Sequence, residues 1–316
     1  MRKIYFLAAL LLLPSFGFSF ECPQKDSQEK AEDCPWAGAA RLLNETADNN
    51  GDLGPVFSAH APGILRQLDA DRGNAAVLKL WGESINYDEL AAGEIVHPGI
   101  LGFLAARLGA ALPRGKIIHA GLEHTYGYLF SLLPTKFGFK RARWVRPDIE
   151  DGLGLPRGTA GPAPSEGTLL ANITCLAGGI ALKDDPAALA LLEKVSAGCG
   201  GAARAFVSRG IARTRLAETV VLAGGRQVAL RTDFVPFKKN SGGNTHLLVY
   251  SVYDSAAGQA YLITAFPVNA GFVQNALNPA GLGGKKPVQT RYNALIEGLT
   301  DAGKLAGVRE VARLEK

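Results

Sequence analysis

The densest hydrophobic pattern in the chain lies at its start. Arg2 and Lys3 precede an almost unbroken apolar run over 4–13, Pro14 ends it, and Gly17-Phe18-Ser19 follows. A basic n-region, a short apolar core and small residues at −3 and −1 define a cleaved secretory signal peptide over 1–19. The run is shorter than the about 20 residues that span a bilayer, so a membrane anchor is the weaker reading. A lipid anchor on Cys22 is weaker still, because Glu21 stands where a small residue is needed. The export reading makes 20–316 the mature part, a single domain that is secreted or periplasmic. No second apolar stretch is long enough to span a membrane.

Beyond a polar arm over 24–33, apolar positions recur at helical spacing. The periodicity predicts helices over 61–69, 74–90 and 99–112, the last ended by Pro113 and Gly115. Another is predicted over 116–133 and stopped by Pro134. The stretch 55–135 is thus read as helix-rich. Periodicity is lost over 136–167, where Gly, Pro and charged residues cluster, and a long loop is expected. Helices resume over 168–222. Asp185-Pro186 supplies a cap and a first-turn proline for a helix reaching Gly198, and a further helix is expected over 202–222. The segments 227–237, 246–253 and 259–268 alternate or are rich in β-formers with short connections, which predicts an antiparallel meander over 227–268. Closing helices are expected over 291–299 and 305–314, within a C-terminal segment 288–316. The order defines an α+β fold, a helical layer packed on a small antiparallel meander of three or more strands.

Composition narrows the class without naming a function. With 47% apolar and 20% charged residues the chain can bury a sizeable core. Loss of the signal peptide removes Arg2 and Lys3 from a net charge of +5 and leaves +3, which weakens the case for a polyanion partner. Cys22, Cys34, Cys175 and Cys199 form an even set in an exported chain and are read as two disulfides. Three pairings are possible, of which the local pairs Cys22–Cys34 and Cys175–Cys199 are preferred. No cofactor is called for. The run from Asp48 to Asp52 lacks the glycine and glutamate of a calcium loop, and no zinc spacing occurs. Serine-hydrolase elbow, phosphate-loop and dinucleotide motifs are missing as well.

Candidate chemistry falls into two groups. His119 and His124 are five residues apart, too far round a helix to form a metal pair, although His119 and Glu123 have the i,i+4 relation. Arg231 and Asp233 share one strand face, with a solvated sheet face the simpler explanation. His246 and Thr264 lie on the next two strands. If these faces coincide, His119, His124 and His246 supply acid–base groups and Arg231 an anion stabiliser for hydrolysis of a phosphodiester or ester. The second group is the basic, aromatic run over 136–146, with Lys140, Arg141, Arg143, Trp144 and Arg146 as a binding surface for an anionic or envelope partner. The acidic run from Asp148 to Asp151 follows it and offsets its charge. On these residues a non-catalytic binding protein of the envelope or secreted fraction is the leading expectation. A histidine-dependent hydrolase is the alternative.

Overall fold

The computed structural model describes residues 35–88, 91–112, 116–135, 138–221, 227–277, 294–295 and 313–315. The signal-peptide reading, Cys22 and Cys34 lie outside them. The chain is α+β, as its pattern predicts.

Helices α1 (Pro35–Asp48), α2 (Leu53–His60), α3 (Pro62–Arg72) and α4 (Ala75–Lys79) open the fold. Asp52 caps α2 by accepting from the Gly54 amide, so the acidic run from Asp48 to Asp52 is a turn and a cap. Strand β1 (Glu83–Ile85) and helix α5 (Pro98–Leu108) follow. Next come β2 (Ile117–His119), α6 (Ala120–His124) and a 3-10 turn (Gly127–Phe130). The hairpin β3 (Pro134–Thr135) and β4 (Gly138–Phe139) leads into α7 (Ala142–Val145) and α8 (Asp148–Leu153). Three further helices are α9 (Leu169–Ala181), α10 (Pro186–Ser196) and α11 (Gly201–Val207). The main sheet is β5 (Thr214–Val221), β6 (Gln227–Ser241), β7 (Asn244–Asp254) and β8 (Gln259–Val268), paired in sequence order and antiparallel. Helix α12 (Ala270–Leu277) comes after it. Strand β9 (Ala294–Leu295) joins β1, and β10 (Arg313–Glu315) joins β5.

One face of the meander carries Val235, Phe237, Leu247, Val249, Leu262 and Ala265 into the core formed with the helices. The other carries Leu230, Phe234, Leu248, Tyr250, Val252 and Val268 into a second core. Phe272, Val273 and Leu277 of α12, with Ile85 and Ile117, pack against that second face. Both faces are therefore apolar, which is why β7 reads as an almost continuous hydrophobic run.

Four expectations are corrected. The helix over 74–90 stops at Lys79, because Trp81 forms a parallel bridge to Leu262 and Gly82 donates to the Leu262 carbonyl at 2.9 Å. The helix over 116–133 is replaced by β2, α6 and the 3-10 turn. Ile117 and Ile118 pair with Ile85 and Ser84, burying β-branched residues in a ladder. Only α11 survives from the helix over 202–222. Residues 214–221 become β5, all eight paired along β6. The loop over 136–167 holds β4, α7 and α8. Most of 288–316 lies outside the described residues, and the two described pieces there are the strands β9 and β10.

Candidate acid-base site

Helix α6 is only five residues long and is fixed from both ends. His119 caps it, its Nδ1 accepting from the Leu122 amide at 3.2 Å while Nε2 donates to the Leu78 carbonyl at 3.0 Å. The Thr125 hydroxyl bonds back to the Gly121 carbonyl. Gly121 sits against the Trp81 ring, where a Cβ would lie 2.6 Å from Cγ, so only glycine allows this approach. Trp81 is itself held by its Nε1 donating to the Thr174 hydroxyl at 2.9 Å. These contacts press Glu123 and His124 against β1 and the edge of β8.

That edge carries a β-bulge. Tyr250 faces Thr264 and Ser251 faces Leu262, which leaves Ile263 as the extra residue. Its carbonyl accepts a hydrogen bond from Nδ1 of His124. Nε2 of His124 is thereby turned to the Glu123 carboxylate, 3.2 Å from Oε2. The Ser84 hydroxyl of β1 donates to the same Oε2 at 2.6 Å and lies 3.4 Å from Nε2. Glu123 and Ser84 are wholly buried and His124 nearly so. The second carboxylate oxygen, Oε1, has no hydrogen-bond partner among the described residues. A buried carboxylate with one orphaned oxygen is costly to the fold, since desolvation is not repaid there.

Cations border the cluster. The Arg143 guanidinium donates to the Thr264 hydroxyl at 3.0 Å and lies 4.7 Å from the Tyr128 ring centre and 5.1 Å from that of Phe266. Among the described residues no carboxylate reaches it. Lys140 is 3.8 Å from Asp88, and burial together with the Arg143 charge pushes its pKa down to about 8. The Tyr128 ring lies 5.0 Å from the His124 ring. Burial, and then the Glu123 charge, hold the Tyr128 phenol above its ordinary value, so it is a hydrogen-bond donor at neutral pH.

The sequence candidates separate. His119 has both ring nitrogens engaged in capping α6, and burial lowers its pKa. His246 pairs with Val268, five residues beyond the bulge that receives His124, which is about 16 Å along the strand. Arg231 faces Ser251 on the ladder, one position from Tyr250, so it points to the opposite face from His246 and Thr264. It stacks on Tyr253 at 5.1 Å. Of the four histidine-centred candidates, only His124 lies in the cluster.

The 136–146 run is folded inward at two of its named positions. Arg141 is fully buried, donating to the Ser131 carbonyl at 2.9 Å and stacking on Phe139 at 3.9 Å. Trp144 is buried and donates to the His124 carbonyl at 2.6 Å. Lys140, Arg143 and Arg146 are half-buried, so the run is not a continuous exposed strip. Ser84 and Tyr128 had no signal in the sequence. Glu123 was visible only as a partner of His119, whose ring nitrogens instead bond Leu78 and Leu122.

The Arg231 and Asp233 face is not solvated. Asp233 is fully buried beneath a paired cation network. Arg215 grips it bidentately, Nε to Oδ1 at 2.8 Å and Nη2 to Oδ2 at 3.1 Å. Arg213 approaches Oδ1 at 3.0 Å, and both arginines also bond Asp184. Of the expected disulfides, Cys175–Cys199 is formed and ties α9 to the start of α11. Among the described residues no helix is long and apolar enough to cross a membrane. Compared with protein-family models, with curated proteins and with solved structures, the chain matches none.

Proposed function

We propose that this is an exported hydrolase with an acid–base centre at Glu123, His124 and Ser84, acting on an ester or phosphodiester. The observation that carries the reading is the Glu123 carboxylate, buried, held through Oε2 by Ser84 and His124, with Oε1 unpartnered among the described residues. Buried titratable groups held at this cost gather at functional sites more often than elsewhere. In the proposed step Oε1 takes a proton from water as the water oxygen bonds to the carbonyl carbon or phosphorus. The bond to the leaving oxygen breaks, and that oxygen receives the Nε2 proton of His124. Release of the Oε1 proton to water and uptake of a proton from water at Nε2 of His124 then restore both groups. Ser84 holds the carboxylate in register. Export is supported by the Cys175–Cys199 bridge, because such bonds persist in oxidising compartments.

The test uses p-nitrophenyl acetate and bis-p-nitrophenyl phosphate with the mature chain, Glu123→Gln and His124→Gln. The expected result is turnover of one substrate by the parent and a loss of about 100-fold or more in each variant. Turnover of neither, or turnover indifferent to both substitutions, removes the proposal.

The rival reading is a non-catalytic protein that docks an envelope or anionic partner through Lys140, Arg143 and Arg146. The half-buried Arg143, which no carboxylate reaches among the described residues, favours it; the burial of Arg141 and Trp144 counts against it. Retention of a partner from an envelope extract that survives Arg143→Ala and Arg146→Ala would eliminate this rival.

A further inference from the structure

Beside the acid–base pair lies a cation that no carboxylate reaches among the described residues. Arg143 has five N–H donors, and among the described residues it is engaged by the Thr264 hydroxyl and by aromatic faces. The rings of Tyr128, Trp144 and Phe266 hold the guanidinium in place without satisfying its donors. Arg213 and Arg215 in the same fold each reach carboxylates within 3.0 Å. Lys140 adds a second cation close enough to Arg143 for the two to repel, and its carboxylate neighbour Asp88 stands off at 3.8 Å. The Tyr128 hydroxyl, near both Arg143 and Glu123, makes no hydrogen bond to the described residues. The Arg143 fork lies 4.7 Å from the Tyr128 ring centre, and the Lys140 charge acts on the same fork.

We infer that Arg143, Lys140 and Tyr128 form a subsite for a phosphoryl group, so that the molecule handled here is a phosphate ester. Two cations and a neutral donor match an oxyanion with several acceptor oxygens better than a carboxylate with two. Arg143 is also pre-positioned by its ring contacts, so little side-chain entropy remains to be lost when the anion arrives. The inference rests on the hydrolase reading only for what the phosphoryl group is attached to; binding itself does not require catalysis. Glu123 lies within the same electrostatic neighbourhood and opposes a dianion, so its neutralisation should tighten binding.

The experiment is calorimetric titration of the mature chain with inorganic phosphate, and in parallel with acetate. One saturable phosphate site is expected, weakened tenfold or more by Arg143→Gln, retained or tightened in Glu123→Gln, with acetate at least tenfold weaker. Lys140→Gln, at a side chain one-fifth exposed, is expected to weaken phosphate severalfold and serves if Arg143→Gln does not fold. Absence of phosphate saturation overturns the inference, as does binding indifferent to both substitutions. Acetate bound as tightly as phosphate overturns the phosphoryl assignment. Phosphate binding without any ester turnover would remove the hydrolase proposal alone.

Discussion

Two buried charge clusters in this fold are built to opposite standards. Around Asp233, Arg215 supplies a bidentate grip, Arg213 a further contact, and Asp184 completes the pairing from the surface. Around Glu123, one carboxylate oxygen is shared between Ser84 and His124, while the other has no partner among the described residues. The neighbouring guanidinium, Arg143, is held by rings and one hydroxyl, with no carboxylate reaching it among the described residues. A paired network holds α9 and the strands together through Arg215, which also bonds the Ala181 carbonyl at 3.1 Å. An incompletely paired one spends stability on an arrangement that a bound molecule could complete.

The contrast can be broken most forcefully at Asp233. Asp233→Ala leaves two buried or half-buried arginines facing no carboxylate at that point, and about 3–5 kcal/mol of unfolding free energy should be lost. Urea denaturation measures it; a loss under 1 kcal/mol would mean that this network is no more structural than the other. A third buried acid, Asp71, accepts from Tyr126 at 2.5 Å and from Thr168 at 2.6 Å. Burial raises its pKa from 3.8 to about 6 despite those bonds. The folded state therefore favours the protonated acid. Its contribution is full below pH 3.8 and is lost as pH rises through about 6, a change of about 3 kcal/mol for this group alone. Stability curves of the parent and Asp71→Asn between pH 4 and 7 should converge or cross accordingly, and parallel curves would refute the assignment. The smallest effect is expected at Glu123. Glu123→Gln removes a poorly compensated buried charge and should change stability by less than about 1 kcal/mol, or raise it. A loss comparable to that of Asp233→Ala would show the Glu123 cluster to be part of the scaffold, and the functional reading would lose its basis.

The pattern along the chain is informative where local physics decides. The Asp185-Pro186 start of α10 was legible as a cap and a first-turn proline, and Asp185 does accept from the Ala188 amide at 2.8 Å. The three strands of the meander were legible from β-formers and turn lengths. The short span between Cys175 and Cys199 pointed to their pairing. Legibility failed where an element is selected by its neighbours. Residues 116–133 have the apolar content of a helix, yet Gly121 must meet Trp81 and Ile118 must pair with Ser84. Residues 214–221 become a strand because β6 offers them an edge.

The site shows the same division more sharply. His124 was recognisable as a titratable residue in an apolar segment, and Lys140 and Arg143 as cations among aromatics. Nothing in the spacing could join Ser84 to Glu123, thirty-nine residues away, or supply the carbonyl of Ile263. That carbonyl is free to accept because a single-residue bulge takes it out of the ladder, a property of two strands and their register. By itself the sequence determined the α+β class, the meander and the residue types available for chemistry, because propensity, capping and period are local. Only the tertiary structure decided that Arg231 and His246 stand apart from His124 and that Arg141 and Trp144 turn inward. Those outcomes depend on strand register and on which buried groups find partners, and neither is encoded within a short window.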